Sequence, residues 1–155
     1  MKTTKTLEET QVIASGFVSD LVKLSASGLE KPAVTATVVG FYGDLGSGKT
    51  SFVQGVAKAL GITVPVASPT FVLQKIYKLD EKIQNHFSHL VHIDAYRMDS
   101  ADELSHIGWE EILKDSRNLI CIEWPEKVFT GMPKDHIYVI CLFVDNETRK
   151  FDIHF

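Results

Sequence analysis

Residues 43–50 read GDLGSGKT, three glycines, one lysine and a closing hydroxyl within eight positions. This is the pattern G-x-x-x-x-G-K-[ST], in which glycines let the backbone curl until successive N–H groups point inward at phosphate oxygens. Lys49 would meet the outer phosphates and the Thr50 hydroxyl would ligate Mg²⁺. At ordinary residue frequencies a chain of this length matches by accident roughly once in two hundred, so the flanking elements decide what the match means.

A phosphate loop of this kind needs a carboxylate at the end of a neighbouring strand to hold Mg²⁺ and its water. Two acids have the right apolar lead-in: Asp94 after LVHI and Glu123 after LICI. Either alone could be a strand-end acid turned to solvent, but two in parallel settings place at least one on the metal side. The residue pattern does not apportion direct and water-mediated contact between them. His86, His89 and His92 also lie three apart, yet residues three apart on an extended strand face opposite sides, so the trio does not converge on one ion.

The elements that must position these groups follow from periodicity. Thr6 with Glu9 forms a capping box for an amphipathic helix carrying Ile13, Phe17, Leu21 and Leu24, broken at SASG. Pro32 opens AVTATVVGFY, β-branched, aromatic and of strand length. Behind the glycine loop, Val53, Val56, Ala57 and Leu60 mark a second helix that stops at Gly61. SPTFVLQKIYKL and SHLVHIDAYRM read as an antiparallel strand pair joined around DEKIQN. Ser100 with Glu103 suggests another capping box and a helix bearing Leu104, Ile107 and Ile112, weakened by Gly108. NLICIEW is a short strand halted by Pro125. IYVICLFV, the turn DNET and RKFDIHF form a closing hairpin, the last strand alternating Phe151, Ile153 and Phe155 with polar residues that should meet water.

At 155 residues with 45% hydrophobic and 23% charged content, the chain suits one domain, residues 1–155, with a sizeable core. No apolar run spans a bilayer and the start lacks the apolar centre of a secretory signal, which predicts a cytoplasmic protein without a membrane partner. Cys121 and Cys141 sit in apolar runs without metal or redox spacing and read as buried thiols. A net charge of -4 supplies no overall positive field for a nucleic-acid backbone, disfavouring DNA or independent RNA binding.

GDLGSGKT, SPTF, HIDAYR and IEWPE occur together in this order, and with them the chain resembles the TsaE family, also called YjeE, across nearly its whole length. The resemblance implies a small α/β fold, P-loop NTPase-like and three-layered, with a mixed, partly antiparallel sheet. It implies ATP and Mg²⁺ binding and weak ATPase activity that rises with partners. Those partners are the TsaD and TsaB proteins, whose assembly threonylcarbamoylates the adenosine beside the anticodon of tRNA, so that tRNA is reached through the complex. By motif, Gly43, Asp44, Leu45, Gly46, Ser47, Gly48, Lys49, Thr50 and Ser51 resemble the phosphate cradle. Thr50, Glu123 and Asp94 resemble the metal-side residues, with Glu123 either on the metal or activating water. Thr70 resembles a loop residue that reports on the outer phosphate, and it reads equally as a strand-start threonine. Thr10 and Arg149 resemble residues near the adenine, though a helix-surface threonine and a solvated turn arginine would look the same. Arg97 could assist the phosphates or pair with an acid, and Trp124 could line the nucleotide, a partner or the core. The helix around Trp109 and the loop WPEKVFTGMPKD are candidate partner surfaces.

Two other classes compete. A P-loop small-molecule kinase shares the cradle but needs lid arginines, and Arg97, Arg117 and Arg149 are widely spread. A non-hydrolysing nucleotide-binding scaffold would not need Asp94 and Glu123.

Overall fold

A computed structural model describes residues 1–26, 35–80 and 86–155. The expected turn around DEKIQN, the end of SASG and the start of the strand at Pro32 fall wholly or largely outside these residues. In chain order the elements are β1 (Lys2–Thr4), α1 (Leu7–Ala26), β2 (Thr37–Tyr42), α2 (Lys49–Ala59), β3 (Gln74–Lys78) and β4 (His89–Asp94). A 3₁₀ segment (Ala101–Ile107), α3 (Trp109–Lys114), β5 (Asn118–Glu123), a second 3₁₀ segment (Pro125–Gly131), β6 (Ile137–Phe143) and β7 (Arg149–His154) follow.

The strands form one sheet in the order β1-β7-β6-β2-β5-β4-β3. β6, β2, β5 and β4 run parallel, while β3 on one side and β7 on the other are antiparallel to their neighbours, with β1 antiparallel to β7 in turn. This is the mixed α/β architecture expected. Side-chain alternation along the strands sends Val39, Phe41, Leu90, Leu119 and Cys121 to the face covered by α1 and α2. Val38, Val91, Ile93, Ile120 and Ile122 face the opposite layer, built from the 3₁₀ segments and α3 through Leu104, Trp109, Ile112 and Val128. By the same alternation His92, Asp94 and Glu123 share the α2 side, with Asp94 and Glu123 directly paired across β4 and β5.

Local signals account for most element ends. The Thr6 hydroxyl accepts the Glu9 N–H at 3.1 Å, and the Glu9 carboxylate reaches back to the Lys5 N–H at 2.6 Å, one residue earlier than in the usual box. Gly61 adopts φ 80° and donates to the Lys58 carbonyl, while the Ile62 N–H reaches Ala57, the paired bonds of a Schellman stop.

Other expectations need correction. Leu24 is 48% exposed, and the buried stripe of α1 is Ala14, Phe17, Val18 and Leu21. β3 begins at Gln74 rather than Ser68, because Val72 and Leu73 N–H groups turn back onto the Pro69 carbonyl and Leu73 takes φ 63°. The helix expected after Ser100 is split at Gly108 (φ 70°) into a 3₁₀ segment and a short α-helix. There the Ser100 hydroxyl makes no cap bond, and only the Glu103 half of the box forms, to the Asp99 N–H at 2.7 Å. The polar side of β7 does meet water as expected, Lys150, Asp152 and His154 being half-buried, while β1 pairs along the strand's edge. Among the described residues no helix is long and apolar enough to cross a membrane.

Cys121 and Cys141 are free and buried. Burial pushes the Cys121 thiol far above its ordinary range and Cys141 up to about 12. A thiol reagent at pH 8 should therefore label neither cysteine in the folded protein and both in denaturant. Prompt labelling of native protein, read by mass spectrometry, would contradict this burial.

Candidate functional site

Behind β2 the chain turns through the glycine loop into α2. An aromatic cluster supports it from below: the Phe52 ring lies 5.5 Å from Phe41, 5.8 Å from Phe17 and 5.1 Å from Phe151, centroid to centroid. Gly48, the residue preceding α2, takes φ 96° and leaves a tight gap to Phe151, where a Cβ would sit 3.2 Å from the ring. Gly43 is still more constrained, with φ 137° and a position where a Cβ would fall 2.0 Å from the Cys141 carbonyl oxygen. Gly43→Ala should thus lower stability by about 2–5 kcal/mol and displace the loop. A urea midpoint equal to wild type would refute that fit.

Lys49 is 5% exposed. Its ammonium donates to the carbonyls of Gly43 at 2.6 Å and Asp44 at 2.9 Å and lies 3.8 Å above the Trp124 ring. Burial holds its pKa below the ordinary lysine value, with Glu123 acting in the opposite sense. The cation is thus held at the loop by partners that carry no full charge. The first N–H groups of α2 lack intrahelical partners and join the loop amides in a region of positive potential.

Asp94 and Glu123 are each 3% exposed at the C-terminal ends of β4 and β5. The Thr50 hydroxyl donates to Glu123 Oε2 at 2.9 Å, and His92 Nε2 lies 2.8 Å from Glu123 Oε1. Asp94 Oδ2 accepts from Ser68 at 2.5 Å and Thr70 at 2.6 Å, and Oδ1 accepts the Tyr96 N–H at 3.0 Å. Neither acid forms an ion pair with a lysine or arginine among the described residues. Two buried carboxylates and a hydroxyl, all oxygen donors beside an anion-binding loop, suit Mg²⁺.

These groups open into a cleft of about 730 Å³. Of the residues expected from sequence, Thr10, Leu45, Gly46, Gly48, Lys49, Thr50, Ser51, Thr70, Asp94, Glu123 and Arg149 line it. Gly43, Asp44 and Ser47 do not; the first two hold Lys49 through their carbonyls, and Ser47 is buried. Thr10 is buried rather than on the helix surface, donating to the Thr4 hydroxyl at 3.1 Å and the Thr6 carbonyl at 3.2 Å. Arg149 is no free turn arginine: Nε donates to the Gly46 carbonyl at 2.7 Å and the guanidinium stacks 4.5 Å from the Phe143 ring. Arg97 lies outside the cleft, over the Phe71 ring at 4.5 Å. Trp124 lines the cleft in a left-handed conformation, φ 60°, 5.1 Å from Tyr96. Trp109 is buried, its indole N–H on the Gly131 carbonyl at 3.1 Å, whereas Phe129 of the neighbouring loop is 61% exposed.

The three histidines have separate neighbours: the Phe87 ring for His86, the Ser88 hydroxyl for His89 and Glu123 for His92. Sequence reasoning missed Ser68 and His92 as members of the site. Each stands two residues before a group already singled out, Thr70 and Asp94. For His92 that spacing on a strand means a shared face.

The chain matches the family described as "Threonylcarbamoyl adenosine biosynthesis protein TsaE" over residues 5–151. It is similar to proteins named "tRNA threonylcarbamoyladenosine biosynthesis protein TsaE" from three organisms. With that of Rickettsia bellii it shares 35% identity over 94% of this chain and 88% of the relative. With that of Bacillus subtilis the identity is 33% over 92% and 77%, and with that of Borreliella burgdorferi 37% over 72% and 77%. The crystal structure of Bacillus subtilis YdiB superposes with a TM-score of 0.64 at 26% identity, covering 98% of this chain and 82% of that one.

Proposed function

The chain belongs to the TsaE family, and from that membership we propose that it is a Mg²⁺-dependent ATPase subunit serving tRNA threonylcarbamoyladenosine biosynthesis, slow alone and stimulated by TsaD and TsaB proteins. The observation that carries this reading is the Thr50–Glu123 hydrogen bond at 2.9 Å beside the Lys49 ammonium. It sets a hydroxyl, a carboxylate and a cation at the mouth of one glycine loop.

The geometry supports a part for each residue. The loop amides and the start of α2 bind the phosphate chain, and Lys49 exchanges its carbonyl partners for outer phosphate oxygens. Thr50, with Glu123 and Asp94 directly or through water, would hold Mg²⁺ against the phosphate chain, and the ion would supply neutralisation of charge on the transferring phosphoryl group. Glu123, already bonded to Thr50, stands on the metal side. Asp94, in a cluster of hydroxyls, is placed to orient water. Ser68 and Thr70, on the loop before β3, tie that loop to Asp94, so a change at the outer phosphate has a route to the surface that partners would read. A kinase reading gains little: of the three arginines, Arg149 alone lines the cleft.

The reading is tested by mixing the protein with TsaD and TsaB proteins, tRNA, ATP and Mg²⁺ and following phosphate release with modified adenosine. Release that rises with partners and tracks modification is expected. Modification proceeding equally without this chain, or a phosphorylated small-molecule acceptor, would contradict it.

A further inference from the structure

Glu123 spends both carboxylate oxygens on protein groups, and one of those groups has no place in the chemistry derived above. His92 is 0% exposed on β4, with Nε2 2.8 Å from Glu123 Oε1. Its Nδ1 is buried and finds no hydrogen-bond partner among the described residues. That asymmetry fixes the ring. With hydrogen on Nε2, the imidazole donates to the carboxylate and leaves a bare lone pair at Nδ1. With hydrogen on Nδ1 alone, a buried N–H would be orphaned and two acceptors would face each other at 2.8 Å.

We infer that His92 is a positioning residue for Glu123, an Nε2–H donor that pins Oε1 so that Oε2 faces Thr50 and the metal side. The inference rests on the ATPase reading above. A glutamate carries three side-chain torsions and would otherwise wander within the cleft. The ring's hydrogen bond fixes the carboxylate's direction, the usual service of a hydrogen-bond partner behind a metal-binding group. Its strand position explains how it gets there: His92 pairs with Cys121 as Asp94 pairs with Glu123, so the ring lies one step behind both acids on the α2 face.

The test compares wild type, His92→Phe, which keeps a flat ring without the donor, and His92→Gln, whose amide restores a neutral N–H. In wild type without nucleotide, ¹⁵N-edited NMR should show a single Nε2–H tautomer whose proton resonance moves when Mg²⁺ and a non-hydrolysable ATP analogue bind. In His92→Phe, ATP affinity in EDTA should stay within about twofold of wild type. The Mg²⁺ concentration for half-maximal hydrolysis should rise about 10–100-fold, and kcat should fall with KM for ATP little changed. His92→Gln should recover most of both losses. An Nδ1–H tautomer, an unmoved Nε2–H resonance, wild-type Mg²⁺ dependence in His92→Phe, or a glutamine variant no better than phenylalanine would each overturn the inference. Should His92→Phe fail to fold, the two wild-type NMR readouts decide. Wild-type protein showing no Mg²⁺-dependent nucleotide binding would bring down the ATPase reading and this inference together, whereas a normal wild type with indifferent variants brings down this inference alone.

Discussion

Lys49→Ala is expected to weaken ATP binding about 100-fold, the scale of losing charge-assisted hydrogen bonds to phosphate in a site shielded from water. Lys49 is 5% exposed and its ammonium is directed to the loop by two carbonyls and the face of Trp124. The fold should survive the change. Burial depresses the lysine's pKa, so the folded chain binds that proton less readily than the unfolded chain does. This works against folding at neutral pH and is relieved as pH climbs toward the ordinary lysine value of 10.5. Wild type should therefore gain stability between about pH 7 and pH 10, a gain the alanine variant should lack. Isothermal titration together with urea melts at two pH values separates lost binding from lost structure. Equal ATP affinity in the two proteins would remove Lys49 from the phosphate site.

Glu123→Gln is expected to leave ATP affinity in EDTA within about threefold and to lower kcat by about 10²–10⁴-fold, the scale of losing several kcal/mol of metal-assisted charge stabilisation. The amide keeps the shape and still offers an oxygen to the Thr50 hydroxyl, so the cradle persists. What disappears is a buried carboxylate, 3% exposed, that acts electrostatically on the Lys49 ammonium without forming an ion pair with it. Single-turnover phosphate release across a Mg²⁺ series checks this. A large loss of affinity in EDTA with unchanged kcat would place Glu123 in binding rather than in the reaction.

The phosphate loop, both acids and the strand and helix flanking the loop were legible because each rests on local rules. Glycine spacing sets the curl, apolar runs ending in acids set the strand ends, and Gly61 sets the helix stop. Less legible were features created by distant pairing. Lys2–Thr4 has no apolar periodicity and becomes a strand only because β7 offers an edge. Arg149 looks like turn chemistry until the hairpin folds back and brings its guanidinium to the Gly46 carbonyl, 103 residues away. The left-handed backbones of Leu73 and Trp124 run against the preferences of those residue types, and both adjoin the site, where neighbouring contacts hold them. Leu73 accepts the Asp94 N–H at 3.0 Å and Trp124 donates to the Phe41 carbonyl at 3.3 Å, bonds between segments that no local window contains.

His92 marks a different boundary. Read as one of three histidines it signals little, because a period of three does not gather side chains on a strand. Read against Asp94, two residues on, it shares a face with the site. The informative spacing ran to the neighbouring acid.

The proposed role of the glycine loop depends on where a nucleotide's outer phosphates lie. A crystal structure with Mg²⁺ and a non-hydrolysable ATP analogue should show the Lys49 ammonium moved from the Gly43 and Asp44 carbonyls onto phosphate oxygens, with Mg²⁺ on the Thr50 hydroxyl beside Glu123. Lys49 still seated on those carbonyls, with the analogue bound elsewhere or the metal remote from Thr50, would contradict it.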